Sequence, residues 1–300
     1  MYGPDTTRAV VLQDCEDGGH ARDDIATTEH LSMTTANATT PGKTRMFAAS
    51  IWLAAIGALV LIRYRGRIGL FRSFHEWMAE SGAADWVRNS DNEVLFVVFG
   101  VGLWAWMKRG RGGHSAGLLG DLGLGGPVAC GCIVGLVIAL PMLLLAAVTG
   151  GDIPFEWPMV RIDATGPFAE EWFFRGVLVL AFVRLAGVSF WPTAIVSGVL
   201  FGLVHVQWTV DGFAQGWPKG LFTAVGGIWF AWLAREWGRN LWVVIVAHGL
   251  MNFAASWYGT GNGIWLGIGH GTSTALGTVM TIRPAWLRMS WARRAQESGG

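Results

Sequence analysis

Charged residues are few in this chain. Asp, Glu, Lys and Arg make up 14% of its 300 residues, against 52% hydrophobic, and the mean hydropathy is +0.40. A soluble domain carries roughly a quarter of its residues as charge, so the composition excludes an ordinary soluble enzyme. Neither sign is in excess. The formal net charge of +1 excludes the strongly basic surface that nucleic-acid binding needs, and no nucleic-acid partner is expected. Three cysteines make no disulfide framework: Cys15 lies in a polar stretch, while Cys130 and Cys132, two positions apart in an apolar run, point to different sides of a helix and read as small hydrophobes. No signal peptide precedes the first apolar run, and no internal repeat is visible.

What the chain does have is one apolar run after another. Residues 1–45 are polar, rich in Thr and Asp, and read as a flexible tail. The run 46–62, bounded by Lys43 and Arg45 before and Arg63, Arg65 and Arg67 after, is about long enough to span a bilayer. Residues 68–79 alternate Leu, Phe and Trp with Arg, His and Glu at helical spacing, which predicts a helix lying in the membrane interface. Further runs follow at 94–107, 128–149, 167–183, 191–206, 221–234 and 241–257, with a weaker Gly-rich one at 263–282. The pattern predicts an all-α, polytopic transmembrane helical bundle of seven or eight spans in one domain, 46–282, followed by a basic tail, 283–300. The expected location is a membrane crossed several times, the plasma or inner membrane in a bacterium. Pro141 predicts a kink, and Pro167 and Pro192 are expected near helix starts, where a missing N–H costs little. The stretch "GLLGDLGLGGP", 117–127, has the glycines of a phosphate loop, but no strand precedes it, so it reads as a flexible loop.

An ionisable group within hydrocarbon costs roughly 2.5–3.5 kcal/mol on insertion scales, so each one calls for a reason. The first three runs and the sixth carry no charge. Polar chemistry gathers in three others: Glu170, Glu171 and Arg175 in "GPFAEEWFFRGVLVLAF", His205 in "SGVLFGLVHV", and His248 with Asn252 in "VAHGLMNFAA". Glu171 and Arg175, four apart with the acid N-terminal, share a helix face in the better orientation for an ion pair. Glu170 is rotated about 100° from Glu171 and need not join that pair. A carboxylate left without a cationic partner in an apolar site is a candidate general base; acids at a helix start are also favoured by the macrodipole alone. Gly198 and Gly202 form a small-xxx-small pair that lets another helix approach, and His205, one turn on, faces protein rather than lipid, as a packing residue or a catalytic one. His248 and Asn252 share a face, where two donors either converge on one oxygen or bond between helices. With spans alternating in direction, Glu170, His205, His248 and Asn252 all come to the same side of the membrane.

These motifs resemble a known family. "EEWFFR" is similar to its Glu-Glu-x-x-x-Arg motif, "FGLVH" at 201–205 to its Phe-x-x-x-His motif, and "HGLMN" at 248–252 to its His-x-x-x-Asn/Asp motif, in order, over about 166–255. The family is that of the CPBP intramembrane proteases, which include type II CAAX prenyl endopeptidases and bacteriocin-processing or immunity relatives, also called Abi proteins. The resemblance implies a helical bundle with a cavity open to one membrane face and a membrane-associated peptide or protein substrate held within the lipid bilayer. It implies that Glu170 activates water, aided by His205, that His248 and Asn252 stabilise the oxyanion, and that Glu171 and Arg175 hold the site together. A zinc cofactor is an open option, with Glu170, His205 and His248 the candidate ligands. The chain has no H-E-x-x-H, since "HEWMA" at His75 lacks the second histidine, and no Gly-x-Ser-x-Gly elbow.

Two other classes fit the same inventory. A proton-coupled transporter would use embedded Glu, His and Arg as a relay, though such folds show inverted repeats and broken helices, and neither is visible. A non-catalytic relative acting as scaffold or immunity factor would have no need of Glu170, His205, His248 and Asn252 together. Basic residues near the span ends divide twelve against seven under an eight-span topology, which puts both termini inside and the site toward the outer face. Cysteines introduced at Ser90 and at His114 are therefore expected to label from outside the cell at position 90 only; labelling at 114 only reverses the orientation.

Overall fold

The computed structural model describes residues 41–65, 72–73, 76–77, 80–81, 90–111, 115–149, 157–258 and 263–297, the last segment with side chains as far as 282. The polar stretch 1–40 and most of the amphipathic segment 68–79 fall outside these residues. The described residues form helices and no strand. In chain order these are α1 (Pro41–Tyr64), α2 (Asp91–Arg111), α3 (Gly117–Leu122), α4 (Val128–Thr149), α5 (Trp157–Glu171), a π-helical segment (Trp172–Ala181), α6 (Phe182–Ala186), α7 (Phe190–Val204), α8 (Val210–Glu236), α9 (Leu241–Tyr258) and α10 (Gly263–Glu297).

The protein is an all-α membrane bundle. Three of the described helices are long and apolar enough to cross a membrane: Thr44–Tyr64 within α1, α4 and α9; α7 is apolar but shorter. That is fewer than the seven or eight spans expected from the runs. The cause lies in the helices that contain the other runs. α2 opens on Asp91 and Glu93 and closes on Lys108, Arg109 and Arg111. α5 carries Arg161, Asp163, Glu170 and Glu171, and α8 carries Asp211, Lys219, Arg235 and Glu236, so the apolar stretch in each is short.

The centre of the bundle is a single rod made of α5, the π segment and α6. Glu171 and Phe182 both have helical dihedrals, so the axis continues through each junction. All ten residues of the π segment, "WFFRGVLVLA", are buried, Arg175 among nine uncharged neighbours. Pro167 lies inside this rod rather than at its start. The Asp163 carbonyl it leaves without a helical partner faces Gly249 of α9, where a Cβ would lie 3.0 Å from that oxygen. Pro192 does lie in the first turn of its helix, α7. Next to Pro141, two side chains bond the backbone of Met142: Ser273 Oγ accepts from its N at 3.3 Å, and Tyr258 donates to its carbonyl at 3.1 Å.

Gly198 and Gly202 of α7 do admit another helix, α8. A Cβ on Gly198 would overlap Ile228, and one on Gly202 would lie 2.8 Å from Ala224 Cβ. Aromatic rings link α2 to the end of α7: Phe96 packs on Phe173 and Phe174 at 5.3 and 5.6 Å between centroids, Phe174 on Phe201 at 5.0 Å, and Phe201 on His205 at 4.6 Å.

The Gly-rich stretch 117–127 is not a flexible loop. Asp121, fully buried, accepts from Trp104 Nε1 at 3.0 Å, Ser115 Oγ at 2.5 Å and Ala116 N at 3.0 Å, and pairs with Arg184 at 3.4 Å. Gly123 adopts φ 82, and a Cβ there would overlap the carbonyl of Arg239, so only glycine fits. Its own carbonyl accepts from Leu241 N at 2.9 Å, which joins the loop to the start of α9. Arg239 then donates to the Leu180 carbonyl at 2.9 Å. The loop thus fastens the end of the rod remote from Glu170 to the α8–α9 turn. Replacing Asp121 by Ala leaves several buried donors without an acceptor and is expected to lower stability by about 3 kcal/mol or more; thermal unfolding in detergent checks this, and a variant melting with the wild type would show the clamp to be dispensable.

Candidate active site

Glu170 and Glu171 part company where α5 meets the π segment. The Glu171 side chain is fully buried, whereas that of Glu170 is 24% exposed, which is the outcome of a rotation of about 100° between adjacent positions. Glu171 Oε1 lies 3.0 Å from Arg175 Nη1, and the Arg175 side chain is itself 1% exposed. Around this guanidinium, Nε donates to the Gly227 carbonyl at 3.4 Å, and the Phe201 ring lies under Cζ at 4.0 Å, a cation–π geometry. Gly227 makes the room: a Cβ there would sit 3.1 Å from Arg175 Nη2. The expected ion pair is therefore present and deep.

Glu171 has a second partner that spacing within one helix does not show. His248 of α9 donates from Nδ1 to the same Oε1 at 2.8 Å, which leaves Nε2 on the open side of the ring, 3.8 Å from Glu170 Oε2. Phe230 flanks the imidazole at 5.4 Å and Phe201 at 6.1 Å.

His205 is held in a parallel way. The last turn of α7 tightens, with His205 N donating to Gly202 O rather than to Phe201 O, and this frees the Phe201 carbonyl. His205 Nδ1 donates to that carbonyl at 2.7 Å, so its Nε2 also turns toward Glu170, 4.0 Å from Oε1. The Glu170 carboxylate thus lies between two imidazoles whose tautomers are set by acceptors on the far side of each ring.

Of the six residues singled out in the sequence, five stand in one connected cluster: Glu170, Glu171, Arg175, His205 and His248. Asn252 lies one turn beyond His248 on α9, half-buried, and makes no hydrogen bond among the described residues. His248 Nδ1 is engaged by Glu171, so Nε2 is the ring nitrogen that remains to share an oxygen with Asn252.

A spacing of 3.8 or 4.0 Å between Nε2 and a carboxylate oxygen accommodates a water bonded to both at about 2.8 Å with an angle of about 90°. Zinc at about 2.1 Å from both atoms would need an angle of about 136°, far wider than a tetrahedral site allows. Among the described residues no three His, Cys, Asp or Glu side chains are grouped to hold a metal ion. Glu170, His205 and His248 as arranged do not fit zinc.

Two residues near the cluster escape a reading of the sequence. His270 of α10 lies within electrostatic reach of His248 and packs edge-on to Phe222 at 5.4 Å. It was a visible signal, a histidine within the Gly-rich run 263–282, but no motif attaches to it. Glu93, in the first turn of α2, lies within electrostatic reach of Glu170 and precedes the apolar run 94–107, where it reads as a flanking acid. Burial pushes its carboxyl above the usual glutamate value; a hydrogen bond from its own backbone and the charge of Arg161 oppose the rise, and Asp91 and Glu170 add to it.

Comparison with known proteins bears on this region. Residues 153–254 match the family model described as Rce1-like, type II CAAX prenyl endopeptidase Rce1-like. No curated protein and no solved structure matches the chain.

The pairing yields a stability test. Arg175→Leu leaves the buried Glu171 without its cation, at a cost of about 3–5 kcal/mol, whereas Glu171→Gln combined with Arg175→Leu leaves no buried charge. The double variant is expected to unfold at the higher temperature in detergent, and equal unfolding temperatures would show that the two side chains do not compensate one another.

Proposed function

We propose that this chain, which belongs through residues 153–254 to the Rce1-like family of type II CAAX prenyl endopeptidases, is an intramembrane peptidase that hydrolyses a peptide bond in a membrane-associated protein or peptide with water activated by Glu170. The observation that carries this reading is the Glu170 carboxylate set between two imidazole Nε2 atoms, each at a one-water spacing. Substrates of the CAAX type, named by the family, and peptides of the bacteriocin-processing kind both suit such a site.

The division of labour follows from the hydrogen bonds. A water held by Glu170 and by His205 Nε2 gives its proton to the Glu170 carboxylate as its oxygen attacks the substrate carbonyl. His205 cannot turn away, because its Nδ1–H is bonded to the Phe201 carbonyl. The carbonyl oxygen becomes an anion, and two groups on α9 are suited to meet it. His248, held at Nδ1 by Glu171, presents Nε2 to it and donates when that nitrogen carries a proton. Asn252 donates from its amide. When the C–N bond breaks, the proton on Glu170 passes to the departing amine, and the carboxylate is restored. Arg175 takes no part in the reaction; its contact with Glu171 Oε1 holds that carboxylate in place beneath His248. The donor spacing supports a metal-free mechanism, so activity is expected to survive chelation.

Losing a general base costs roughly 10²–10⁴ in rate, and losing one oxyanion donor roughly 10²–10³. Glu170→Gln and His205→Ala are therefore expected to abolish detectable cleavage of a membrane-presented peptide library, with Asn252→Ala retaining a small residual rate, all at normal membrane insertion. Full activity of Glu170→Gln would rule out the peptidase reading, and loss of activity on chelation, restored by zinc, would rule out the metal-free mechanism.

A further inference from the structure

Beside the cluster, α2 and α5 leave a groove of about 480 Å³. Its walls are apolar, formed chiefly by Val94, Val97, Phe168 and Ala169, and Glu93 and Thr165 lie toward the ends where both helices begin. Ala169 places the inner end next to Glu170 in sequence. From Thr165 to Ala169 the helix rises about 6 Å, roughly the reach of a lysine or arginine stem.

Polar satisfaction in this groove is one-sided. Glu93 Oε2 is buried and has no hydrogen-bond donor, and the Oδ1 of neighbouring Asn92 is in the same position. Of the cations nearby, Arg65 pairs with Asp91, while Arg161 donates to Ser90 Oγ at 3.1 Å and acts on Glu93 through space without a hydrogen bond to its Oε2. A buried acceptor without a donor is costly, and Glu93 is further disfavoured as an anion by its burial. An open apolar groove that runs along α5 up to Ala169, the residue before Glu170, and holds a carboxylate oxygen without a donor has the complementarity of a side chain with an aliphatic stem and a cationic head.

We propose that this groove is a specificity site that binds a lysine or arginine side chain of the substrate peptide, with the stem against Val94, Val97 and Phe168 and the cationic head on Glu93 Oε2. The assignment rests on the peptidase reading for its place in catalysis, but the binding it describes is measurable without cleavage. Glu93 is a specificity residue: it touches the substrate away from the bond that breaks.

The test uses the full chain carrying Glu170→Gln in lipid nanodiscs, so that no peptide is consumed, and measures binding of fluorescent apolar peptides differing at one position. Lysine, norleucine and glutamate are compared there; norleucine keeps the aliphatic stem and lacks the charge. The lysine peptide is expected to bind about tenfold more tightly than the norleucine peptide, the worth of one hydrogen bond to a charged group. Adding Glu93→Gln is expected to erase the difference, and Glu93→Lys to favour the glutamate peptide. Because burial raises the Glu93 carboxyl above its unfolded value, its contribution to stability is present at low pH and lost as pH rises through the folded value, so Glu93→Gln is expected to fold at neutral pH at least as stably as its parent. Equal binding of lysine and norleucine peptides, which is what a groove for any apolar chain gives, overturns the proposal, as does a lysine preference that survives Glu93→Gln. Failure of the peptidase reading shows separately, as absence of cleavage by the wild type while the lysine preference persists.

Discussion

A fully buried carboxylate has to be answered by something, and in this bundle most of the site is arranged around the answer. Glu171 Oε1 receives both the Arg175 guanidinium and His248 Nδ1. Removing two charges from water costs several kcal/mol per ion, so the pair is poorly explained as a source of stability. Its consequence is positional. Arg175 can sit at this depth only with Gly227 opposite, the Phe201 ring beneath and a carbonyl of α8 to accept from it. These demands fix how the π segment, α7 and α8 approach one another. His248 is then aimed by the oxygen that Arg175 neutralises.

The rod that carries these residues has two unlike ends. The end remote from Glu170 is closed by the Asp121 clamp, where the buried Asp121 carboxylate is met by several donors and Gly123 lets the loop meet the α8–α9 turn. The Glu170 end is open and its polar groups are partly unmatched: Glu93 Oε2 and Asn92 Oδ1 lack donors, and the two imidazoles stand a water's breadth from the carboxylate. A bundle clamped at one end by a well-bonded buried carboxylate and left with unmatched polar atoms at the other holds a rigid platform beneath an accessible site. The π segment lies between the two. Its wider turn, seen where Phe182 N donates to Val177 O, is a local departure from regular helix of the kind that accompanies functional positions, and Ser197 Oγ donates to the Phe174 carbonyl within it.

Much of the site was legible along the chain. An ionisable residue in an apolar run is conspicuous because hydrocarbon penalises it, so Glu170, Glu171, Arg175, His205 and His248 could be singled out by type and position alone. Helical period supplied the Glu171–Arg175 pair, which is local and needs no tertiary knowledge. Three of the described helices qualify as spans by length and composition, and the acids and bases in α2, α5 and α8 shorten the apolar stretches of others in which the sequence shows runs. The loop 117–127 was misjudged for a related reason: glycine content signals freedom of the backbone, but the partners that remove that freedom, Arg239 and Leu241, lie more than a hundred residues away.

Composition and periodicity by themselves determined the class of this protein, an all-α membrane bundle, and the inventory of its chemistry, because both follow from what a lipid environment does to each residue one at a time. Tertiary structure alone decided how that inventory is wired. His248 answers Glu171 through Nδ1, His205 is turned by the carbonyl of Phe201, and Glu93 lines a groove. Each of these depends on an atom supplied by a different helix, or on a carbonyl released when a helix end tightens, and neither is written in the spacing of residues along one segment.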